Sequence, residues 1–116
     1  MALEMTMTRN KTGQWLLTVT DYLGAPQPLT GLTLWFHAAG LVGSTVLDIN
    51  KSSPSGGITI TNAAGGLATL EVAPADTADF PTGTVALPCE LTLVSGAQYL
   101  ELDRGSLSVY EDVGTP

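Results

Sequence analysis

Three features of this sequence predict an all-β fold. Apolar and polar residues alternate along most of the chain, short clusters of turn-forming residues interrupt the alternation, and segments with helical periodicity are nearly absent. The chain has 116 residues, of which 44% are hydrophobic and 13% charged, so it is long enough for one domain with a substantial core. We therefore expect an antiparallel sandwich or barrel.

The strand predictions follow the alternation in chain order. Beyond the N-terminus, we predict strands at residues 15–20, 32–38, 45–49, 58–61, 67–72, 84–94 and 98–110, the last with a bulge at 103–105. Residues 62–66 are predicted to form a hairpin turn, and residues 74–79 a single helical turn that begins at a proline. Pro88 falls inside one strand, and since proline cannot donate to a sheet, it predicts a sheet edge or a bulge there.

The N-terminal residues leave two alternatives open. Leu3, Met5 and Met7 alternate with polar residues, so this segment is either an edge strand of its own sheet, the favoured alternative, or an apolar arm that adds to a neighbour's sheet. We divide the chain into an N-terminal strand or arm (1–12), a β-sandwich (13–110) and a C-terminal tail (111–116).

The charge balance limits the partners. Eleven acidic and four basic residues give a net charge of −7, which would repel a phosphate backbone, so we expect no nucleic-acid binding. No apolar run is long enough to cross a bilayer, and the first residues do not resemble a secretory signal. We therefore expect synthesis in the cytoplasm and no membrane partner.

Residues that could carry catalysis or hold a metal are scarce. His37 is the only histidine and Cys89 the only cysteine, which is too few for a zinc site and leaves no internal disulfide. Cys89 shares the apolar face of its strand, so we predict a buried side chain. For Asp76 and Asp79, capping of a helix start is favoured over calcium binding. We predict no enzymatic activity, no metal site and no cofactor.

Trp35 is the sharpest candidate for a binding residue. The alternation places Leu34 and Phe36 on the inner face of their strand, and it places Thr33, Trp35 and His37 on the outer face. Trp35 is either an anchor at a protein interface or is covered by the loop at residues 26–28, and both remain open. The predicted interface residues are Thr33, Trp35, His37, Pro88, Leu3, Met5 and Met7.

Turn motifs in a particular order carry a resemblance to a known family. They are Pro-Leu-Thr-Gly at 28–31, Gly-Ile-Thr-Ile at 57–60, Asn-Ala-Ala-Gly-Gly at 62–66, Pro-Ala-Asp-Thr-Ala at 74–78, Pro-Thr-Gly at 81–83 and Gly-Ser-Leu-Ser-Val at 105–109. This order resembles the immunoglobulin-like (Ig-like) β-sandwich domain of tailed-bacteriophage virion proteins, similar to the N-terminal domain of upper baseplate proteins. It covers roughly residues 13–109.

The resemblance implies both a fold and a role. The fold class becomes an all-β, Ig-like antiparallel β-sandwich of about seven to eight strands with one short helical turn. The implied role is a non-enzymatic adaptor in the tail, baseplate or fibre-attachment region of a virion, made in the host cytoplasm. Its expected partners are other virion proteins and further copies of itself. Since no fibre or receptor-binding region follows before Pro116, we expect an adaptor or decoration role rather than direct host recognition.

Two alternatives to the adaptor stay open. The same fold serves capsids, so one is a capsid decoration or minor capsid protein. The other is a carbohydrate-binding or adhesion module in which Trp35, Tyr22 or Tyr99 stacks on sugar rings. That alternative requires several coplanar outward aromatic rings, and an aromatic content of 6% makes such a platform hard to build.

Overall fold

The strand prediction is confirmed by the computed structural model, which describes residues 3–42, 45–81 and 83–113. Eight strands and one four-residue helix follow one another along the chain. They are β1 (Leu3–Thr8), β2 (Gly13–Thr18), β3 (Thr33–Val42), β4 (Thr45–Ser52), β5 (Ile58–Asn62), β6 (Leu67–Val72), α1 (Pro74–Thr77), β7 (Val85–Ser95) and β8 (Gln98–Tyr110). Residues 114–116 of the predicted tail lie outside the described part.

The strands form two sheets with an immunoglobulin-like order. The five-stranded sheet has the order β1-β8-β7-β3-β4, and the three-stranded sheet has the order β2-β6-β5. Ig domains place strands B, E and D in one sheet and strands G, F and C in the other, and some add C′ beside C. Strands β2 to β8, taken in chain order as B, C, C′, D, E, F and G, reproduce this arrangement. The chain is an all-β sandwich, as predicted.

The first strand departs from the antiparallel prediction. β1 pairs in parallel with β8, from Leu3 opposite Gly105 to Thr8 opposite Tyr110. The short turn after β1 crosses to the other sheet, where β2 begins, and Arg9 N donates to Tyr110 O (2.9 Å) at that crossing. β1 therefore ends next to the end of β8, and the two strands run in the same direction. Its pairing makes β1 an edge strand of the five-stranded sheet.

Pro88 does not lie at a sheet edge. It belongs to β7, which has β8 on one side and β3 on the other, and it pairs with Ser106. The pairing of β3 with β7 ends at Ala38 opposite Cys89, one residue before β3 would reach Pro88. Beyond that point β3 pairs with β4 alone, so the missing N–H of Pro88 interrupts no further bond to β3. The register shift in β7–β8 lies between Leu91 and Thr92, so the bulge is at Leu102 rather than at 103–105.

The core fills the space between the inward faces of the two sheets. Leu34, Phe36 and Ala38 of β3 are at most 1% exposed, and Leu70 and Val72 of β6 are fully buried. Further members come from every strand, namely Met5, Met7, Leu17, Leu47, Ile49, Ile58, Ala68, Val85, Leu87, Cys89, Leu91, Leu93, Leu107 and Val109. Alternation along each strand thus separates the core from the surface.

The short helix closes one end of the sandwich. Pro74 occupies the start of α1, and Ala73 N donates to the Asp76 carboxylate (2.7 Å), as expected for helix capping. Thr77 is fully buried, and its hydroxyl accepts a hydrogen bond from Asn10 N (3.0 Å). Lys51 Nζ of β4 lies 2.7 Å from an Asp76 oxygen. These contacts fix the helix to the β1–β2 turn and to β4.

Substitution of Gly66, in the β5–β6 turn, tests the close packing of this turn against the β2–β3 loop. Its φ is +70°, and an added Cβ would lie 2.4 Å from the backbone oxygen of Val19. We expect Gly66→Ala to lower the free energy of unfolding by more than about 2 kcal/mol, because strain and a backbone clash add together. Gly24, with φ +84° and nothing within 4 Å of an added Cβ, is the matched control.

Chemical denaturation of both variants measures this difference. Gly24→Ala should cost only about 1 kcal/mol, the strain of the left-handed conformation alone. Equal losses for the two variants would contradict the close approach of Gly66 to Val19.

Candidate docking surface

The outward face of β3 carries the residues that the alternation singled out. Thr33, Trp35 and His37 are half-buried, while the intervening Leu34 and Phe36 lie in the core. Trp35 therefore points away from the other sheet, as predicted. Its neighbours on this face come from β4 on one side and β7 on the other.

Trp35 is held by two side chains of its own sheet. Its ring stacks on that of His37, with ring centroids 5.5 Å apart and planes 13° from parallel. Its indole N–H donates to the side-chain oxygen of Asn50 on β4. His37 Nε2 in turn lies 2.6 Å from an Asp48 carboxylate oxygen. These two contacts position the indole against its own sheet.

The loop at residues 26–28 is held at the three-stranded sheet. Gln27 N donates to Val19 O (3.0 Å), and Leu29 N, just after the loop, donates to Ala63 O (2.8 Å). The Trp35 ring contacts His37 and Asn50, both on its own five-stranded sheet.

The apolar surface continues across the sheet to β8. Thr33 lies opposite Val94 of β7, and Val94 lies opposite Tyr99 of β8. Residues opposite each other point to the same face, so Tyr99, which is 71% exposed, shares the outer face with Trp35. We define the outer patch as Thr33, Trp35, His37, Val94 and Tyr99. Alternation within one strand could not place Tyr99 here, because the β7–β8 register is needed.

A charged row borders the outer patch. Arg104 Nη2 lies 2.7 Å from a Glu101 oxygen and 3.6 Å from a Glu90 oxygen. The hydrogen bond from Arg104 lowers the pKa of Glu101, and the same bond raises the pKa of Arg104. His37, Pro88, Glu90 and Arg104 line a shallow depression of about 200 Å³ on this face. Pro88 and His37, both predicted interface residues, are therefore neighbours.

The N-terminal residues predicted for the interface lie elsewhere. Met5 and Met7 are 5% and 6% exposed and belong to the core, because β1 docks on β8 with its apolar face inward. Leu3 begins β1 opposite Gly105, and its side chain lies outside the described part. Contrary to expectation, Met5 and Met7 offer no surface to a partner while β1 remains in its sheet.

Every basic side chain of the protein is engaged within the fold. Lys51 pairs with Asp76, Arg104 with two glutamates, and Lys11 Nζ lies 3.5 Å from Asp112. Arg9 donates to the backbone oxygen of Pro81 (3.0 Å). With a net charge of −7, the protein presents acidic groups in excess to its surroundings. A partner with basic groups would be favoured electrostatically.

The structure also locates the groups considered for metal binding. Asp76 bonds Ala73 N and pairs with Lys51, so its carboxylate serves the helix start. Within residues 3–42, 45–81 and 83–113, no three His, Cys, Asp or Glu side chains are grouped so as to hold a metal ion. In the same ranges no helix has the length and apolar character to span a membrane.

Comparison with known proteins finds distant similarity to solved structures. No protein-family model and no curated protein sequence matches the chain. Among solved structures, the fold is similar to the N-terminal domain of phage TP901-1 ORF48, with a TM-score of 0.45 and 12% sequence identity. The match covers 94% of this chain and 85% of that chain.

Cys89 provides a test of the sandwich interior. The side chain is 5% exposed, and burial raises the pKa of its thiol. We expect the folded protein to resist a thiol reagent at neutral pH and the denatured protein to react with one equivalent. Labelling of the folded protein as fast as the denatured protein would contradict this burial.

The same burial predicts a pH dependence of stability. Below the ordinary thiol pKa, both states hold the proton. Above about pH 9 the unfolded chain releases it while the folded protein retains it, so the thiol's contribution to the free energy of unfolding falls with rising pH. The difference between wild type and Cys89→Val, measured by denaturation from pH 7 to pH 10, isolates this contribution. An unchanged difference would contradict the raised pKa.

Proposed function

We propose that this chain is a non-enzymatic structural protein of a bacteriophage virion. It acts as an Ig-like adaptor that binds other virion proteins in the tail, baseplate or fibre-attachment region. The observation that carries the docking role is the outer patch, where a tryptophan and an exposed tyrosine lie on a sheet face that the fold does not need for its core. The setting in a virion is supported by the order of turn motifs in the sequence.

Trp35 is the proposed anchor of this interaction. Aromatic residues dominate the binding energy of protein interfaces, and a rigid side chain loses less conformational entropy on binding. The stack on His37 and the bond to Asn50 position the indole. Tyr99, across β7, adds a second amphipathic ring about 10 Å or more away, given two strand spacings of about 4.8 Å.

The charge distribution describes the partner surface. All four basic side chains are engaged within the protein, and acidic residues exceed them by seven. The partner is therefore expected to place lysine or arginine around an apolar pocket that receives Trp35. Repetition of this contact in a symmetric particle would bring several copies of the chain together.

The carbohydrate-binding alternative has less support from the geometry. Stacking on sugars uses open, coplanar ring faces, whereas Trp35 and His37 stack on each other. Tyr22 is 94% exposed, but it lies in the loop after β2 and not on a strand of the five-stranded sheet. The three aromatic residues considered for sugar binding therefore form no common platform.

Particle incorporation tests the proposal directly. A phage lacking this gene is complemented with wild type, Trp35→Ser or Tyr22→Ser, and the chain is quantified in purified particles by mass spectrometry. Wild type and the exposed-loop control Tyr22→Ser should be incorporated. Trp35→Ser should be depleted by about thirtyfold, since loss of an interface anchor costs about 2 kcal/mol.

Each result of this experiment has a distinct meaning. Absence of wild-type chain from purified particles would contradict the virion role. Equal incorporation of Trp35→Ser and wild type would contradict docking through the outer patch. Electron microscopy of gold-labelled particles then separates the tail region from the capsid, where label would favour the decoration alternative.

A further inference from the structure

Among the residues that the structure describes, no strand lies beside β2 at the edge of the three-stranded sheet. β2 is the first strand in the order β2-β6-β5, while β1 joins the other sheet. In the Ig arrangement, strand A occupies the position beside strand B. Among the described residues, nothing fills the corresponding position beside β2.

Backbone groups on this edge are directed outward. Val19 N donates to Gly66 O (2.8 Å), and Val19 continues the regular register in which Leu17 lies opposite Ala68 and Trp15 opposite Leu70. Hydrogen-bonding direction alternates along an antiparallel strand. The N–H and C=O groups of Gln14, Leu16 and Thr18 therefore point away from β6. We call these three residues the open β2 edge.

The open β2 edge lacks the features that usually prevent pairing. Between Gly13 and Thr18 there is no charged residue and no proline, and the register with β6 is unbroken. The other edge strands are protected: β1 carries exposed Glu4, β4 carries Asp48, and β5 has a register shift after Ile60. Leu16 is 69% exposed on this edge.

A groove runs beside this edge between the two sheets. It has a volume of about 500 Å³, and its lining is mostly apolar, comprising Leu16, Leu17, Thr18, Val19, Thr20, Leu91, Leu102 and Asp103. Within the described part of the chain, β1 pairs with β8 only from Gly105 onward, so no described strand pairs with residues 98–104 of β8 on that side. The groove is therefore bordered by two unpaired strand segments.

The widths of the two sheets favour a single strand over a whole domain as the occupant of the position beside β2. Leu91 of β7 and Leu102 of β8 line the groove together with β2, so β2 lies over these strands. The five-stranded sheet continues outward beneath the vacant position, with β1 as its last strand. A second sandwich that approached β2 edge to edge would meet β1, whereas a single extended strand fits above it.

The negative charge of Asp103 sets a further requirement for the partner that occupies the groove. Asp103 is the charged residue in the groove lining, and its carboxylate accepts a hydrogen bond from the backbone N of Arg104 (2.9 Å). A second copy of this chain also has a net charge of −7, which disfavours its approach to Asp103. A segment of a different protein with a lysine or arginine meets this requirement.

We propose that the groove receives one extended segment of a partner protein, which pairs with the open β2 edge as a fourth strand. Residues 14–20 span about 23 Å at about 3.3 Å per residue, so about five to seven residues of the segment pair. Apolar side chains at alternate positions face Leu17, Val19 and Leu102, and a basic side chain pairs with Asp103. The groove is separate from the outer patch, and the proposed strand pairing does not depend on the virion role.

Selection from a displayed library of random peptides tests the proposal. Wild-type protein should enrich peptides with alternating β-branched or other apolar residues and a lysine or arginine. The same selection on Asp103→Asn should lose the basic preference. Hydrogen exchange on binding of a selected peptide should slow at the amides of Gln14, Leu16 and Thr18.

Affinity measurements by fluorescence anisotropy use variants of the edge. Leu16→Lys should weaken binding of the selected peptide by about tenfold or more, equivalent to about 1.4 kcal/mol. Thr18→Pro should also weaken binding of the selected peptide, because it removes an N–H that points outward from the β2 edge. Leu16 is exposed, so its variant keeps the test decisive if Thr18→Pro fails to fold. Val46→Lys, at a 71% exposed residue of β4, is the matched control.

Three results would overturn the proposal. The first is that no peptide is enriched. The second is that enriched peptides bind both edge variants as tightly as wild type. The third is that the chain alone forms a dimer in sedimentation that Leu16→Lys abolishes, because a second copy would then occupy the edge.

Discussion

Packing between the inward faces of the two sheets is the interaction on which the rest of the structure depends. The chain has a single cysteine, so no internal disulfide supports the fold. Each fully buried leucine or phenylalanine contributes about 1.5 to 3 kcal/mol through removal from water. The core therefore uses the inward position of nearly every strand, and it leaves the outward positions free for other roles.

That division explains how a half-buried tryptophan can lie on a surface. Trp35 sits between two core residues of β3 but points away from them, so its partners are the outward side chains of His37 and Asn50. The unequal width of the sheets has a second consequence. Five strands face three, and the difference leaves an apolar groove beside β2.

Features that depend only on neighbouring residues could be predicted from the sequence. Alternation correctly placed Trp35 outside and Phe36 inside, and the proline at residue 74 correctly indicated the helix start. These features depend on a few consecutive residues, whose side-chain direction follows from strand or helix geometry. The same holds for the hairpin turn between β5 and β6.

Features that depend on long-range pairing could not be predicted. The parallel pairing of β1 with β8, and with it the burial of Met5 and Met7, joins segments about a hundred residues apart. Pro88 indicated a sheet edge or a bulge, yet β7 is a central strand with β8 and β3 on its two sides. The proline is tolerated there because β3 ends its pairing with β7 just before Pro88. Tyr99 joins the outer patch only through the registers of the β3–β7 and β7–β8 pairs, which alternation within one strand does not reveal.

The inner face of β3 maintains the fold, while its outer face is available for binding. Chemical denaturation of Phe36→Ala and Trp35→Ser tests this division of the strand most directly. Phe36→Ala should lower the free energy of unfolding by about 3 to 5 kcal/mol, as expected for a fully buried phenylalanine. Trp35→Ser should lower it by less than half as much. Equal losses, or a larger loss for Trp35→Ser, would contradict the account by making Trp35 part of the folding core.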